Sequence, residues 1–237
     1  IEISFDTICG AGPHGAIVHY RVTEETNAAI APGTLLLIDS GGQYTDGTTD
    51  ITRTLATGPV TDAQKEAFTR VLKGVIAISQ ARWPKGLAGR DLDALARIAL
   101  WQAGQDYDHG TGHGVGAALS VHEGPQRLSR TSDVALQPGM ILSNEPGYYR
   151  ADEWGIRLEN LIYVAAAPAL PEGDDREMLA FATLTWVPFD RRLIAEGLLT
   201  RAEVAWLDGY HAEVCDRVMP LLDGAAADWL ERATAPL

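Results

Sequence analysis

Residues 34–55 read TLLLIDSGGQYTDGTTDITRTL. Two apolar, β-branched runs, Thr34 to Asp39 and Thr49 to Leu55, flank turn material at Gly41-Gly42 and Asp46-Gly47. That pattern predicts two strands joined by a tight, glycine-rich hairpin. Each strand carries a carboxylate. Asp39 closes the first run and, taken alone, reads as a strand-end turn former. Asp50 lies inside a β-branched run, where Asp is disfavoured. Buried carboxylates are rare unless a cation or a metal partners them. Two such groups facing each other across a hairpin would repel, and one pKa would rise. A bound cation would remove the conflict.

Working outward, Pro32-Gly33 separates this hairpin from an earlier apolar run at Ala16 to Tyr20, which follows turn material at Gly10-Ala11-Gly12-Pro13 and reads as a further strand. Downstream, Thr61 and Gln64 form a capping-box pattern. It predicts a helix with Phe68, Val71, Leu72, Val75, Ile76 and Ser79 on one stripe, ending before Pro84. A second helix is expected from about Asp91 to Ala103, burying Leu92, Leu95, Ala96, Ala99 and Leu100. β pattern returns at Met140 to Glu145, Gly155 to Ala165 and Leu179 to Val187, with Ala166 to Arg176 as a surface loop. Thr200 and Glu203 form another capping box. The helix it opens should bury Val204, Leu207, Tyr210, Val214, Val218 and Leu221, and a short last helix is expected around Asp228 to Arg232. The order of β-rich, two helices, β-rich and helical tail makes this an α+β chain.

The chain has 237 residues, and its 32 acids against 19 bases leave a formal charge of -13. No window is basic, which argues against nucleic acid and against a polybasic membrane surface. No apolar run reaches the roughly 20 residues that span a bilayer. Cys9 and Cys215 lie far apart without a CxxC, so a reducing, cytoplasmic setting is expected.

Five residues stand out chemically. His113 lies between Gly112 and Gly114 in HGTGHGVG (109–116), with His109 and His122 nearby. Flanking glycines let backbone or ligand come close. Glu145 precedes Pro146, which restricts its backbone to extended geometry. Glu159 sits in IRLEN, and the two-residue period puts it on one face with Arg157, while Ile156, Leu158 and Asn160 take the other. The Arg157/Glu159 pair is either a surface ion pair or an arginine supporting a ligating glutamate. With Asp39 and Asp50, His113, Glu145 and Glu159 make a carboxylate-rich set suited to two divalent ions of the Mn, Co or Zn type. A dinuclear site of that kind supports hydrolysis. Spacing alone does not show that the five converge.

The ordered motifs FDTICGAGPHGAIVHY (5–20), LIDSGGQYTDGTTDITRT (37–54), HGTGHGVGAALSVHEGP (109–125), EPGYYRADEWGIRLEN (145–160), LTWVPFD (184–190) and WLDGYH (206–211) resemble the pita-bread metallopeptidases. That group includes methionine aminopeptidase, prolidase and aminopeptidase P, and the wording is most similar to the three-domain, cytosolic X-prolyl aminopeptidases. The resemblance implies a curved antiparallel sheet covered by two long helices, with the metals at its concave centre. It implies a catalytic domain over residues 1–187 lacking its opening helix, a C-terminal helical extension over 188–237, and N-terminal domains of a longer parent lying outside this chain. Asp39 and Asp50 would bind one metal, with Asp50 bridging. His113 and Glu145 would bind the second, and Glu159 would bridge both. A hydroxide between the metals would attack, with Glu145 as general base. His19 and His122 would contact the substrate and the developing oxyanion, His109 the proline side, and Tyr149 and Arg157 the supporting or substrate-side positions. The substrate would be a peptide with proline second, the metal manganese (or cobalt or zinc), and the assembly a homodimer. The alternatives are a prolidase restricted to dipeptides and a non-catalytic binding module of the same fold.

Overall fold

The computed structural model describes residues 2–118 and 120–237. The hairpin forms as its sequence predicts. Strands Leu35–Ser40 and Ile51–Ala56 pair antiparallel with Asp39 opposite Thr52 and Ser40 opposite Ile51. Asp50 precedes Thr52 by two residues, so it sits diagonally across from Asp39 on the same face. Ile8–Ala11 completes this sheet on the other side of Leu35–Ser40, with Ile8 opposite Asp39. The strand expected at Ala16 to Tyr20 is not there. Gly12–Ala16 is instead a 3-10 helix, and the chain then turns, with Ile17 N–H bonded to the His14 carbonyl and Tyr20 N–H to the Ile17 carbonyl. Pro13 offers no N–H to a ladder, and Gly12 takes a φ of 53°, so this segment closes on itself.

The second half is built on one long antiparallel ribbon. Ile141 pairs with Tyr163, Asn144 with Asn160, Gly147 with Arg157 and Arg150 with Trp154, all in a single register. The ladder breaks at Glu145-Pro146 against Leu158-Glu159, because Pro146 has no N–H to give. The run expected from Gly155 to Ala165 is therefore two strands, Trp154–Arg157 and Asn160–Ala166. The register makes Glu145 and Glu159 cross-strand partners at the break. Met178–Thr183 and then Arg82–Pro84 extend this sheet. The strand stops at Thr183 rather than reaching Val187. Beyond it the backbone turns to side chains, with Val187 N–H bonded to the Tyr210 hydroxyl and Phe189 N–H to His211 Nε2.

The two halves meet where the acids cluster. Glu159 N–H donates to the Thr52 carbonyl, and Arg157 N–H donates to the Thr54 hydroxyl. Behind that seam the buried Arg53 guanidinium donates to the carbonyls of Thr52, Glu159, Val187 and Pro188, to Asn160 Oδ1 and to the Tyr210 hydroxyl. It also lies 4.2 Å from the centre of the Phe189 ring. One arginine thus ties the hairpin, the ribbon and the C-terminal segment together.

Helix α1 spans Asp62–Ser79 with the expected Thr61/Gln64 capping box, and α2 spans Asp93–Trp101 behind a 3-10 turn at Gly89–Asp91. α2 is rotated from the expected stripe: Leu92, Ala96 and Leu100 are buried, but Leu95 is 39% exposed. The buried face holds Asp93 and Arg97 instead. Helices α3 (Arg201–Val218) and α4 (Gly224–Thr234) form the tail, α3 with its Thr200/Glu203 capping box. Leu207, Tyr210 and Val214 of α3 and Leu230 of α4 share one core with Phe68, Val71 and Leu72 of α1 and with Ile156 and Leu158 of the ribbon. Each such side chain is worth about 1.5–3 kcal/mol on burial. Leu221 is 80% exposed, because α3 ends at Val218 and Pro220 breaks the expected stripe.

Candidate metal centre

The five sequence-predicted ligands converge. One oxygen from each of Asp39, Asp50 and Glu159 lies within 4.8 Å of the others, and so do ligand atoms of His113, Glu145 and Glu159. The two triads share Glu159. Asp50 also groups with His113 and His122 at the same limit. The hairpin supplies the two Asp, the ribbon break the two Glu, and the glycine-rich loop the His. Gly112 and Gly114 are required by packing: a Cβ would stand 1.9 Å from the Ser143 carbonyl oxygen at the first and 2.1 Å from that of Glu123 at the second. Only a residue without a side chain lets His113 approach the ribbon this closely.

The Arg157 guanidinium pairs directly with two of the four carboxylates, Asp39 and, at 4.0 Å, Glu145. Arg157, 2% exposed, donates from Nη2 to Asp39 Oδ2 at 2.7 Å and from Nε to the Thr52 hydroxyl at 3.1 Å. Thr52 in turn donates to Glu159 Oε2 at 2.7 Å. Ser143 accepts from the His113 N–H and donates to Glu145 Oε1, both at 2.9 Å. These bonds leave Asp39 Oδ1 and Glu159 Oε1 buried without a hydrogen-bond partner among the described residues. His113 Nδ1 lies 2.9 Å from the Gly114 carbonyl and so carries the proton. Its Nε2 lone pair then faces Asp50 Oδ2 and Glu145 Oε1, each 3.4 Å away. A lone pair aimed at carboxylates, and orphaned anionic oxygens beside it, suit divalent cations among them. The donor set fits the expected pair of metals.

The electrostatics carry the same message. Burial, with Asp50, Glu145 and Asp39 adding repulsion, holds the Glu159 carboxyl well above its usual range. Burial pushes Glu145 up to about 7 although His113 and Arg157 oppose it, and burial also raises Asp50. Burial alone would lower His113, but Asp50 and Glu145 outweigh it and hold the ring above its ordinary value. Burial raises Asp50, Glu145 and Glu159 in turn, and added positive charge would relieve all three.

A cavity of about 580 Å³ opens onto this cluster. Its wall includes all five ligands, Arg157, His19, His109 and His122, and an apolar strip of Phe5, Ile8, Val18 and Val121. His122 stacks edge-on against His113 with ring centres 4.0 Å apart, and burial and the neighbouring His113 and His19 lower its pKa. His19 is exposed at the mouth. Tyr149 lies off the wall, behind His109 and Arg157. Arg157 Nη1 donates to its hydroxyl at 2.9 Å, and that hydroxyl meets His109 Nε2 at 2.9 Å. Since arginine only donates, the Tyr149 proton goes to His109 Nε2, and His109 Nδ1–H goes to the Gly110 carbonyl 2.8 Å away. Burial keeps His109 neutral, with a pKa lowered to about 4.

The sequence pattern that describes metallopeptidase family M24 matches residues 1–166, and that of the C-terminal region of peptidase M24 matches residues 177–237. The chain belongs to metallopeptidase family M24. Among M24 relatives, aminopeptidase P2 of Arabidopsis thaliana is 50% identical across 100% of this chain and 34% of its own length. The crystal structure of X-prolyl aminopeptidase from Caenorhabditis elegans, described as a cytosolic enzyme with a di-nuclear active site, superimposes with a TM-score of 0.93 at 38% identity. It covers 100% of this chain and 39% of that one. The prolidase from Pyrococcus furiosus gives a TM-score of 0.62 at 31% identity over 68% of this chain and 46% of that one. This M24 chain therefore covers 34–39% of the length of the two aminopeptidase relatives, and its fold is the expected pita-bread architecture.

Sequence reading missed the residues that hold the M24 ligands. Thr52 and Thr54 read as ordinary β-branched strand residues, although their hydroxyls join the hairpin to the ribbon. Ser143 has the sequence character of an ordinary small polar residue in an apolar strand, although its hydroxyl joins His113 to Glu145. Asp93 and Arg97 fell outside the expected buried stripe of α2. An Asp and an Arg four apart are the pattern of a surface ion pair, so the sequence held no signal of their burial.

Proposed function

We propose that this chain is the catalytic part of an X-prolyl aminopeptidase, which releases the first residue of peptides whose second residue is proline. The observation that carries the reading is the pair of donor triads sharing Glu159, set beside a cavity lined by His19, His109 and His122. When bound, two divalent ions supply Lewis acidity and an acidified attacking water. Manganese is our choice, with cobalt or zinc as alternatives, since one imidazole and four carboxylates form a predominantly oxygen set. Asp39, Asp50, His113, Glu145 and Glu159 would hold them.

The chain's own groups account for the rest. Glu145 lines the cavity and is held by the Ser143 hydroxyl, which places it to take a proton from the attacking water and return it. Arg157 and Thr52 fix the orientation of Asp39 and Glu159. His19 and His122, at the mouth, can donate to the scissile carbonyl as negative charge develops there. Neutral His109 and the strip of Phe5, Ile8, Val18 and Val121 offer a wall for a pyrrolidine ring. Such a wall matters because the bond before proline has no N–H for a peptidase that grips extended backbone. Residues 1–187 serve as the catalytic domain and 188–237 as its helical extension in this reading. A cytosolic setting is part of this reading, and the free thiols of Cys9 and Cys215 suit a reducing compartment. The resemblance also supports a homodimer, which sedimentation of the full-length protein reads directly.

The test compares Xaa-Pro-Xaa, Xaa-Pro and Xaa-Ala-Xaa peptides with metal-loaded, full-length protein. Release of the first residue from Xaa-Pro-Xaa, with Xaa-Ala-Xaa left intact, is expected. Cleavage confined to the dipeptide would replace the reading with prolidase, and cleavage of none would leave a binding module.

A further inference from the structure

Behind the cavity wall lies a second ionic cluster that touches no ligand directly. Asp93 and Arg97, on α2, are 1% and 2% exposed. They form a two-point pair, Nε to Oδ2 at 2.7 Å and Nη2 to Oδ1 at 3.1 Å. Arg97 spends its remaining donors on the loop that leads to His113. It bonds the Tyr107 carbonyl at 2.6 Å, the His109 carbonyl at 2.8 Å and Asp106 Oδ1 at 2.9 Å, and its guanidinium lies 3.9 Å from the Tyr107 ring centre. Thr111 donates its hydroxyl proton to Asp93 Oδ1 at 2.7 Å and, having done so, accepts from the Tyr107 hydroxyl at 2.5 Å. The Thr111 carbonyl then accepts the Glu145 N–H at 2.8 Å.

A buried ion pair is a poor stabiliser, since apolar residues of similar volume often serve as well or better. Yet every Arg97 donor not spent within the pair is directed at residues 106–109, and Asp93 accepts from Thr111, in the segment that turns His109 into the cavity and leads to His113. We infer that Asp93 and Arg97 are positioning residues, which set His109 directly and Glu145 through Thr111. None of Asp93, Arg97, Tyr107 and Thr111 lines the cavity, so their effect on catalysis passes through the residues they hold. The inference rests on the peptidase reading for its consequence in turnover, and on the geometry alone for the placement of His109.

The test uses metal-loaded, full-length protein carrying Thr111→Val, which keeps the shape and removes the hydroxyl, or Thr111→Ser, which restores it. Arg97→Lys keeps the charge but cannot reach all its acceptors, and it stands in should Thr111→Val fail to fold. A control, Lys73→Met, removes the 2.6 Å Lys73–Glu203 pair between α1 and α3, remote from the cavity. A displacement of about 1 Å near a reacting centre costs up to about 100-fold. Expected for Thr111→Val is a 10- to 100-fold loss in kcat/KM, carried mainly by kcat, in protein still folded at the assay temperature. Thr111→Ser should stay within about threefold, and Lys73→Met should lose melting temperature with kcat/KM within about twofold. Recorded in protein loaded with diamagnetic Zn2+, the His109 ring nitrogen resonances should move in Thr111→Val and not in Lys73→Met. Unchanged His109 resonances in Thr111→Val, or kcat/KM within twofold of wild type, would overturn the inference. Were the wild type inactive on Xaa-Pro-Xaa, the peptidase reading would fall, and the His109 resonances would still decide the positioning claim.

Discussion

Thr52→Val isolates one atom at the centre of the site. Thr52 is fully buried, and its hydroxyl donates to Glu159 Oε2 at 2.7 Å while accepting from Arg157 Nε at 3.1 Å. Valine has the same outline, so the substitution opens no cavity. It removes the single hydrogen bond to Glu159 Oε2, while Glu159 Oε1 already has no partner among the described residues, and it strands one arginine N–H. An unsatisfied buried group costs about 1–3 kcal/mol, more when charged. Removing a group that orients a ligand typically lowers metal affinity 10- to 100-fold, which is about 1.4–2.8 kcal/mol. The two scales agree, so a 10- to 100-fold weaker Kd for Mn2+ is expected by calorimetric titration against a competing chelator. Thr52→Ser, which keeps the hydroxyl, should remain within about threefold. A Thr52→Val Kd within twofold of wild type, in folded protein, would mean that Glu159 is oriented by something other than Thr52, and the seam between the two halves would lose its assigned role.

Arg53→Met takes their side-chain donor from the carbonyls of Glu159 and Pro188 and removes one of the donors at Thr52 and Val187. A loss of about 3–5 kcal/mol in urea unfolding is expected, by the scale of broken buried networks, and a loss under 1 kcal/mol would show Arg53 to be dispensable. Gly112→Ala drives a Cβ to 1.9 Å from the Ser143 carbonyl oxygen, so His113 must retreat and Mn2+ affinity should fall at least tenfold; an unchanged Kd would contradict the packing account. Burial, followed by Arg191 and Arg53, lowers the pKa of His211 to about 4, against roughly 6.5 unfolded. Between those values the unfolded chain takes up a proton that the folded chain refuses, so stability falls as pH drops from about 6.5 towards 4 and is regained above 6.5. At pH 5 this costs about 2 kcal/mol relative to pH 8. His211→Gln should remove that part of the acid slope, and identical slopes for the two proteins would refute it.

Three of the five candidate ligands were legible because they clash with their local setting, whereas Asp39 passes for a turn former and Glu159 for half of a surface ion pair. Asp50 in a β-branched run, Glu145 before a proline and His113 between glycines all demand a reason that local structure does not supply. Their supports are silent for the opposite reason. Thr52 suits a strand whether or not its hydroxyl reaches Glu159, 107 residues later. Asp93 and Arg97 obey helical spacing whether they face water or the core. The same division explains the fold. The capping boxes at Thr61 and Thr200 are local and mark both long helices correctly. The break at Leu158-Glu159 comes from Pro146 on the partner strand, and the rotation of α2 comes from a loop it packs against. Alternation did put Arg157 and Glu159 on one face, which in the structure turns to Thr52, and Ile156 and Leu158 on the other, which enters the core.

The central claim is that the five residues build one site for two ions. Its most direct test is anomalous diffraction from crystals of the full-length protein grown with Mn2+, recorded at the manganese edge. The account predicts two peaks per chain roughly 3.5–4 Å apart, one against Asp39, Asp50 and Glu159 and the other against His113, Glu145 and Glu159. A single peak, or manganese bound away from Glu159, would contradict it.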